Sequence, residues 1–283
     1  MQNPHARWRT AYARRLAQKI ILFEGVRAVV VAGSVARNYA DEYSDIEIPI
    51  FWEALPDDDV RLSIVKALQA RFLFAYDGPA REDQLLVNGI QVDLWHITLD
   101  HQEDVIEGVL TRNCTDLGSL NAMDTIRCCI PLCGDEIVQQ WKVRAQQYPL
   151  DLAKSIIQEH LQSFRVDQLS VFAQRNDPTG FLSELTWLQK EAFLVLLALN
   201  QRYFPTFKWL YQSLETMPLK PHSIANRFRS ACATPQAAAV ADTQSVLLEI
   251  VQLIEDRFPE IDTALARRRL EHRRCVPEMP FNS

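Results

Sequence analysis

Asn88-Gly89 separates two apolar runs, Leu85-Leu-Val87 and Ile90–Trp95, and this dipeptide is the sharpest constraint on how the chain folds. A two-residue hairpin turn needs positive φ at both central positions, which Asn and Gly adopt at least cost. The two runs are therefore predicted to be the arms of a β-hairpin. In the second arm Ile90, Val92 and Leu94 alternate with Gln91, Asp93 and Trp95, so Asp93 falls on the polar face of an otherwise apolar strand. Ala28-Val-Val-Val-Ala32 reads as a buried strand that stops at Gly33. Ile46, Ile48 and Ile50 alternate with Glu47, Pro49 and Phe51 as a further strand.

Helix signals flank these strands. Trp8, Tyr12 and Leu16 lie one turn apart in a helix predicted from about Pro4 to Leu22, and Asp57-Asp-Asp59 caps a second one carrying Val60, Ile64, Leu68 and Phe72. The first hundred or so residues thus hold a small mixed sheet with helices. The second half has no comparable strand signal. Ile156, Ile157, Leu161 and Phe164 recur at helical spacing, as do Leu185, Leu188, Ala192, Leu199 and Tyr203, and Val246, Ile250, Ile254 and Phe258. Prolines 149, 178, 205, 218, 221 and 235 punctuate it. The change of character at Gln146–Pro149 predicts an α+β fold: a mixed-sheet domain over 1–146 followed by a helical-bundle domain over 147–283.

Composition narrows function. Thirty basic against thirty-six acidic residues leave a net charge of −6 on 283 residues, which argues against a general nucleic-acid coat. No continuous apolar run approaches the ~18 residues that span a bilayer. The first eighteen residues lack the apolar core of a secretory signal, so a cytoplasmic protein without a membrane partner is expected. Of the six cysteines, Cys114, Cys128, Cys129, Cys133, Cys232 and Cys275, three fall in RCCIPLCGD. No second Cys/His pair stands at zinc-site spacing, so reduced, partly buried thiols are the better reading. His96 and His101 likewise have no second ligand at useful spacing.

The stretch that carries chemistry is Val31-Ala-Gly-Ser-Val-Ala-Arg-Asn-Tyr-Ala-Asp-Glu-Tyr-Ser-Asp-Ile-Glu-Ile48. A strand ends in Gly33-Ser34, and after ten intervening residues Asp45 and Glu47 stand two apart at the start of the next strand. Side chains at i and i+2 share a strand face. Two neighbouring carboxylates repel unless a cation lies between them, and Mg²⁺ favours oxygen ligands completed by water and phosphate. Gly33 lets the backbone approach a phosphate. Ser34 and Ser44 add hydroxyls, and Arg37 adds a positive charge. Asp93 supplies a third carboxylate if its strand neighbours the one bearing Asp45 and Glu47. Three acids could then hold two Mg²⁺ ions around an in-line displacement at phosphorus, with Asp93 also able to accept a proton.

Strand, Gly-Ser turn, acidic pair and later strand aspartate, in that order, resemble the polymerase β-like nucleotidyltransferase superfamily. GSVARNYADEYSDIEIPIF looks most like the small-molecule antibiotic nucleotidyltransferases that act on aminoglycosides and lincosamides, which pair such a domain with a helical one. The resemblance covers about residues 28–95. It implies Asp45 and Glu47 as metal ligands, Asp93 as third ligand or general base, and Ser34 and Ser44 against nucleotide phosphates. Glu191 is an alternative base, and Lys190 and Lys208 are candidate triphosphate contacts. The implied reaction is Mg²⁺-dependent transfer of AMP from ATP to a hydroxyl of a small molecule, with release of pyrophosphate. A homodimer with a shared cleft, as in several similar enzymes, is compatible.

Two other functions stay open at this point: adenylylation of a protein or tRNA, and a nucleotide-binding module without activity. No G-x4-G-K-[ST] loop is present, which argues against a kinase. Arg267-Arg-Arg269 with Arg273-Arg274 reads as the solvated end of a helix, not as an RNA-binding patch. Phe204, Phe207, Trp209 and Tyr211 read as core packing before they read as a stacking platform.

Overall fold

The computed structural model describes residues 3–76 and 81–274. The chain divides into two compact units, Met1–Gln147 and Tyr148–Ser283.

The first unit runs α1 (Pro4–Ile20), β1 (Val26–Val31), α2 (Gly33–Ala36), β2 (Ile46–Trp52), α3 (Asp58–Ala67), β3 (Arg71–Tyr76), β4 (Arg81–Val87), β5 (Ile90–Thr98), α4 (Leu99–Leu110), α5 (Leu117–Cys128), β6 (Ile130–Cys133) and α6 (Asp135–Ala145). Its six strands form one sheet in the order β3-β4-β5-β2-β1-β6. Among the described residues β2 and β5 are the one parallel pair, with Ile46 opposite Val92 and Glu47 opposite Asp93. The β4–β5 turn is the predicted hairpin, with Asn88 at φ 50 and Gly89 at φ 81.

The alternation of β2 and β5 sorts the two faces of the sheet. Ile46, Ile48, Ile50, Val92 and Leu94 are fully buried and form one core with Leu16 and Ile20 of α1 and Ile64 of α3. The opposite face carries Glu47, Pro49, Phe51, Asp93, Trp95 and Ile97 and is met by α4, α5 and α6, Phe51 packing edge-on against Trp141 at 4.8 Å between ring centroids. Asp57 caps α3 as predicted, accepting from Val60 N at 2.9 Å. That helix ends at Ala67, and Phe72 belongs to the unforeseen strand β3, where it is exposed. The cysteine-rich RCCIPLCGD likewise contains β6, an edge strand pairing with β1.

An ionic network is also buried between α3 and the sheet. Arg61 of α3 donates to Asp83 of β4 through Nη2 (2.5 Å) and Nε (3.1 Å), and His96 Nε2 of β5 lies 3.1 Å from the same carboxylate. Asp83 is 1% exposed and His96 is fully buried.

The second unit is helical throughout its described residues: α7 (Leu150–Leu161), α8 (Asp167–Gln174), α9 (Pro178–Leu199), a 3-10 turn (Phe207–Trp209), α10 (Leu210–Thr216), α11 (Ile224–Ala231), α12 (Gln236–Arg257) and α13 (Ala264–Glu271). Pro178 starts α9, as its fixed φ favours, and Tyr203 lies beyond its end. By length and mean hydropathy α12 is the one helix among the described residues long and apolar enough to cross a membrane. No continuous apolar run marks it in the sequence, because its apolar character is an average over mixed residues. Its Val246, Leu247, Ile250, Val251 and Ile254 are buried, and it packs on α8, α9 and α11.

Candidate active site

The loop joining the Gly-Ser turn to the acidic pair is tied down by α1. Asn3, the N-cap of α1, donates through Nδ2 to Asn38 O and Ala40 O, each at 3.0 Å. Arg9, 4% exposed, donates through Nε to Ser44 O at 2.9 Å and lies in the field of Asp41 and Asp45. Asp41 accepts from Ser44 Oγ at 2.9 Å and from Tyr43 N at 3.0 Å. The Ser44 hydroxyl hydrogen bond, joined by backbone N–H donors of Tyr43 and Asp41 and by nearby Arg9, outweighs the cost of burial and holds its carboxyl below the usual range. Asp45 therefore enters β2 from a fixed loop.

Two strands set the remaining acids. Glu47 and Asp93 are register partners on parallel neighbours, on the same sheet face. Asp93 is 5% exposed, far more buried than a polar face at a sheet edge would be, because β5 is an interior strand covered on this side by helices. Gln91 Nε2 donates to Asp93 Oδ1 at 3.2 Å. Among the described residues no group of three His, Cys, Asp or Glu side chains is assembled closely enough to cage an ion by itself. The structure thus pairs Glu47 with Asp93 and sets Asp45 at the strand entrance.

The Gly-Ser turn presses against this pair. Ala32 N donates to Glu47 O at 2.9 Å, locking the turn to β2. Gly33 has φ 58, and a Cβ built on it would fall on the Glu47 carboxylate. A Cβ there would displace the Glu47 carboxylate, and alanine adopts a left-handed φ at a cost, so Gly33→Ala is expected to cost ~1–2 kcal/mol from backbone conformation alone. Urea denaturation measures it, and an unchanged midpoint would contradict the geometry. Ser34 is 3% exposed and its Oγ has no hydrogen-bond partner among the described residues. Ser44 Oγ, by contrast, is engaged with Asp41.

Arg37 is placed differently from the expectation of a phosphate contact. Its Nε donates to Asp124 Oδ2 of α5 at 2.8 Å, and its Nη2 lies 2.6 Å from the same oxygen without alignment for a second hydrogen bond. Both side chains are almost fully buried. Arg127 Nη2 also reaches Asp124, at 3.2 Å. Asp124, which nothing in the sequence marked, thereby fastens the segment after the Gly-Ser turn to α5.

The other predicted residues belong to the helical unit. Glu191 of α9 faces His160 Nδ1 of α7 at 2.9 Å. Lys190 Nζ sits 5.0 Å from the Phe207 ring centroid, and Lys208 Nζ sits 5.4 Å from that of Trp209. The Phe207 ring packs against both Phe193 and Phe204 there.

Five cysteines, Cys114, Cys128, Cys129, Cys133 and Cys232, are free thiols, and Cys275 lies outside the described residues. Burial pushes the Cys129 thiol up to about 11, which makes it a poor nucleophile.

Residues 132–210 match the family described as "Domain of unknown function (DUF4037)". No curated protein matches the chain. Among solved structures the chain is similar to a nucleotidyltransferase-like protein from Exiguobacterium sibiricum 255-15, with a TM-score of 0.38 and 8% identity, covering 89% of this chain and 80% of that one. It is also similar to the Cid1 poly(U) polymerase with MgGTP bound, with a TM-score of 0.30 and 14% identity, covering 86% of this chain and 68% of that one. Another structure of the Cid1 poly(U) polymerase gives a TM-score of 0.24 at 14% identity, over 44% of this chain and 39% of the other.

Proposed function

We propose that this chain is a Mg²⁺-dependent nucleotidyltransferase that moves a nucleoside monophosphate, AMP from ATP, onto a hydroxyl of a small molecule. The observation that carries the reading is the juxtaposition of Glu47 with Asp93 on neighbouring parallel strands, against Gly33 and beside the buried Ser34 hydroxyl. Mg²⁺ needs only one or two carboxylates when phosphates and water complete its shell. Glu47 and Asp93, with Asp45 entering beside them, fit that demand, and the Ser34 hydroxyl fits a phosphate oxygen. When bound, the ion supplies positive charge to the phosphates and to the departing pyrophosphate.

The chain's own residues then have separable tasks. Gly33 lets a phosphate approach the backbone, and Ser34 donates to it. The Asp93 carboxylate takes the proton of the attacking hydroxyl. The hydroxyl oxygen forms a bond to the α-phosphorus while the bond from that phosphorus to the bridging oxygen breaks, and pyrophosphate leaves. The Arg37–Asp124 pair holds the turn in place without touching substrate.

A small-molecule acceptor, not a nucleic acid, is supported by the net charge of −6. Pyrophosphate release from ATP should rise when small alcohols are supplied. Label from ATP should remain with small molecules in a cell extract. Label appearing only on protein or RNA would contradict the acceptor class.

A further inference from the structure

One side-chain step beyond Glu47 and Asp93, about 6.6 Å further along the same face of β2 and β5, the sheet floors a cavity of about 390 Å³. Pro49 and Phe51 of β2 and Trp95 and Ile97 of β5 form its base, and Gln102 and Val105 of α4 line its side. The volume is that of a small-molecule site. The walls are mostly apolar and aromatic.

Two of these residues carry buried N–H groups without a hydrogen-bond partner among the described residues, Trp95 Nε1 and Gln102 Nε2. Gln102 is 2% exposed. Native chains pair nearly all buried donors, so two orphans around one apolar cavity point to something that accepts from them. The nearby Asp116 carboxylate is engaged in capping α5, accepting from Ser119 N at 2.8 Å.

We propose that this cavity seats the acceptor molecule, a compact, uncharged aromatic or heteroaromatic body that bears hydrogen-bond acceptors and presents its hydroxyl to the Asp93 end. The acceptor role rests on the nucleotidyl-transfer reading, whereas the ligand class rests on the cavity itself. A polycationic aminosugar does not match these walls, because its ammonium groups would be desolvated against apolar side chains.

Two probes of equal shape separate the contributions: quinoline-4-methanol, with one ring nitrogen, and naphthalene-1-methanol, without it. Calorimetry on the full chain should give at least fivefold tighter binding of the quinoline. Gln102→Leu should abolish that preference while leaving Mg²⁺–ATP binding unchanged. Val105→Phe, which occupies the cavity without introducing charge, should weaken both probes at least tenfold. Saturating Mg²⁺–ATP should leave quinoline binding in place. Absence of binding, equal affinity for the two probes, or a preference that survives Gln102→Leu overturns the proposal. Displacement of the quinoline by ATP also overturns it, since the cavity would then hold the base. An intact quinoline preference without any Mg²⁺–ATP binding overturns the nucleotidyl-transfer reading and the acceptor role, and leaves the ligand class standing.

Discussion

Asp45→Asn is expected to lower ATP-dependent transfer by about 10²–10³-fold, the effect of removing one preorganised charged group from a reacting centre. The substitution keeps the shape and removes the charge. Asp45 is half-buried on a loop held by Arg9 and the Asp41–Ser44 turn, so the fold should barely register the change. Stability should move by no more than about 0.5 kcal/mol, as for most substitutions outside the core. The split is diagnostic: turnover collapses while the urea midpoint stays. Wild-type turnover in a folded Asp45→Asn protein would make the acidic pair ordinary surface.

Asp83→Ala is expected to do the reverse. It would leave Arg61, 7% exposed, and the fully buried His96 without their shared carboxylate. Breaking a buried pair by removing one partner costs about 3–5 kcal/mol, and the Asp58 carboxylate, 3.1 Å from Arg61 Nη1 but exposed, offsets only part of that loss. Asp83 and His96 lie on the sheet face opposite Asp93, so turnover per folded molecule should persist. The network also sets an acid limit. Burial pushes the Asp83 carboxyl up, but the hydrogen bonds from His96 and Arg61 outweigh it and hold the group below the usual carboxylate range. A carboxyl depressed in the folded state contributes stability above its unfolded pKa of about 3.9 and loses it as pH falls through the folded value. Urea denaturation between neutral pH and pH 3 should show the wild type converging on Asp83→Ala. A loss under 1 kcal/mol at neutral pH, or parallel pH profiles, would contradict this account.

The α+β architecture was legible because its main signals are local. Asn88-Gly89 dictates its own turn, the Asp57 cap starts α3, and the isoleucines of β2 record one buried face in their period. β3 and β6 were not legible for opposite reasons. β3 is an exposed edge strand whose Phe72 also fits the helical spacing of α3, so its pairing with β4 decides a conflict that local pattern leaves open. β6 has four residues within a cysteine cluster that draws attention to thiol chemistry.

The candidate site divides the same way. Gly33, Ser34, Asp45 and Glu47 stand close in sequence around one turn and one strand. The meeting of Glu47 with Asp93 depends on a parallel pairing across 46 positions, which only the register reveals. The commitment of Arg37 to Asp124, 87 residues away, leaves no trace in either neighbourhood. The orphaned donors of Trp95 and Gln102 become visible only once helices cover the sheet.

The most direct test of the central claim is calorimetric titration of ATP into wild type and Asp45→Asn, each with and without Mg²⁺. The account predicts binding by wild type that requires Mg²⁺ and is lost or strongly weakened in Asp45→Asn. Equal binding by the two proteins, or binding indifferent to Mg²⁺, would contradict it and make the Gly-Ser turn and its carboxylates part of the scaffold.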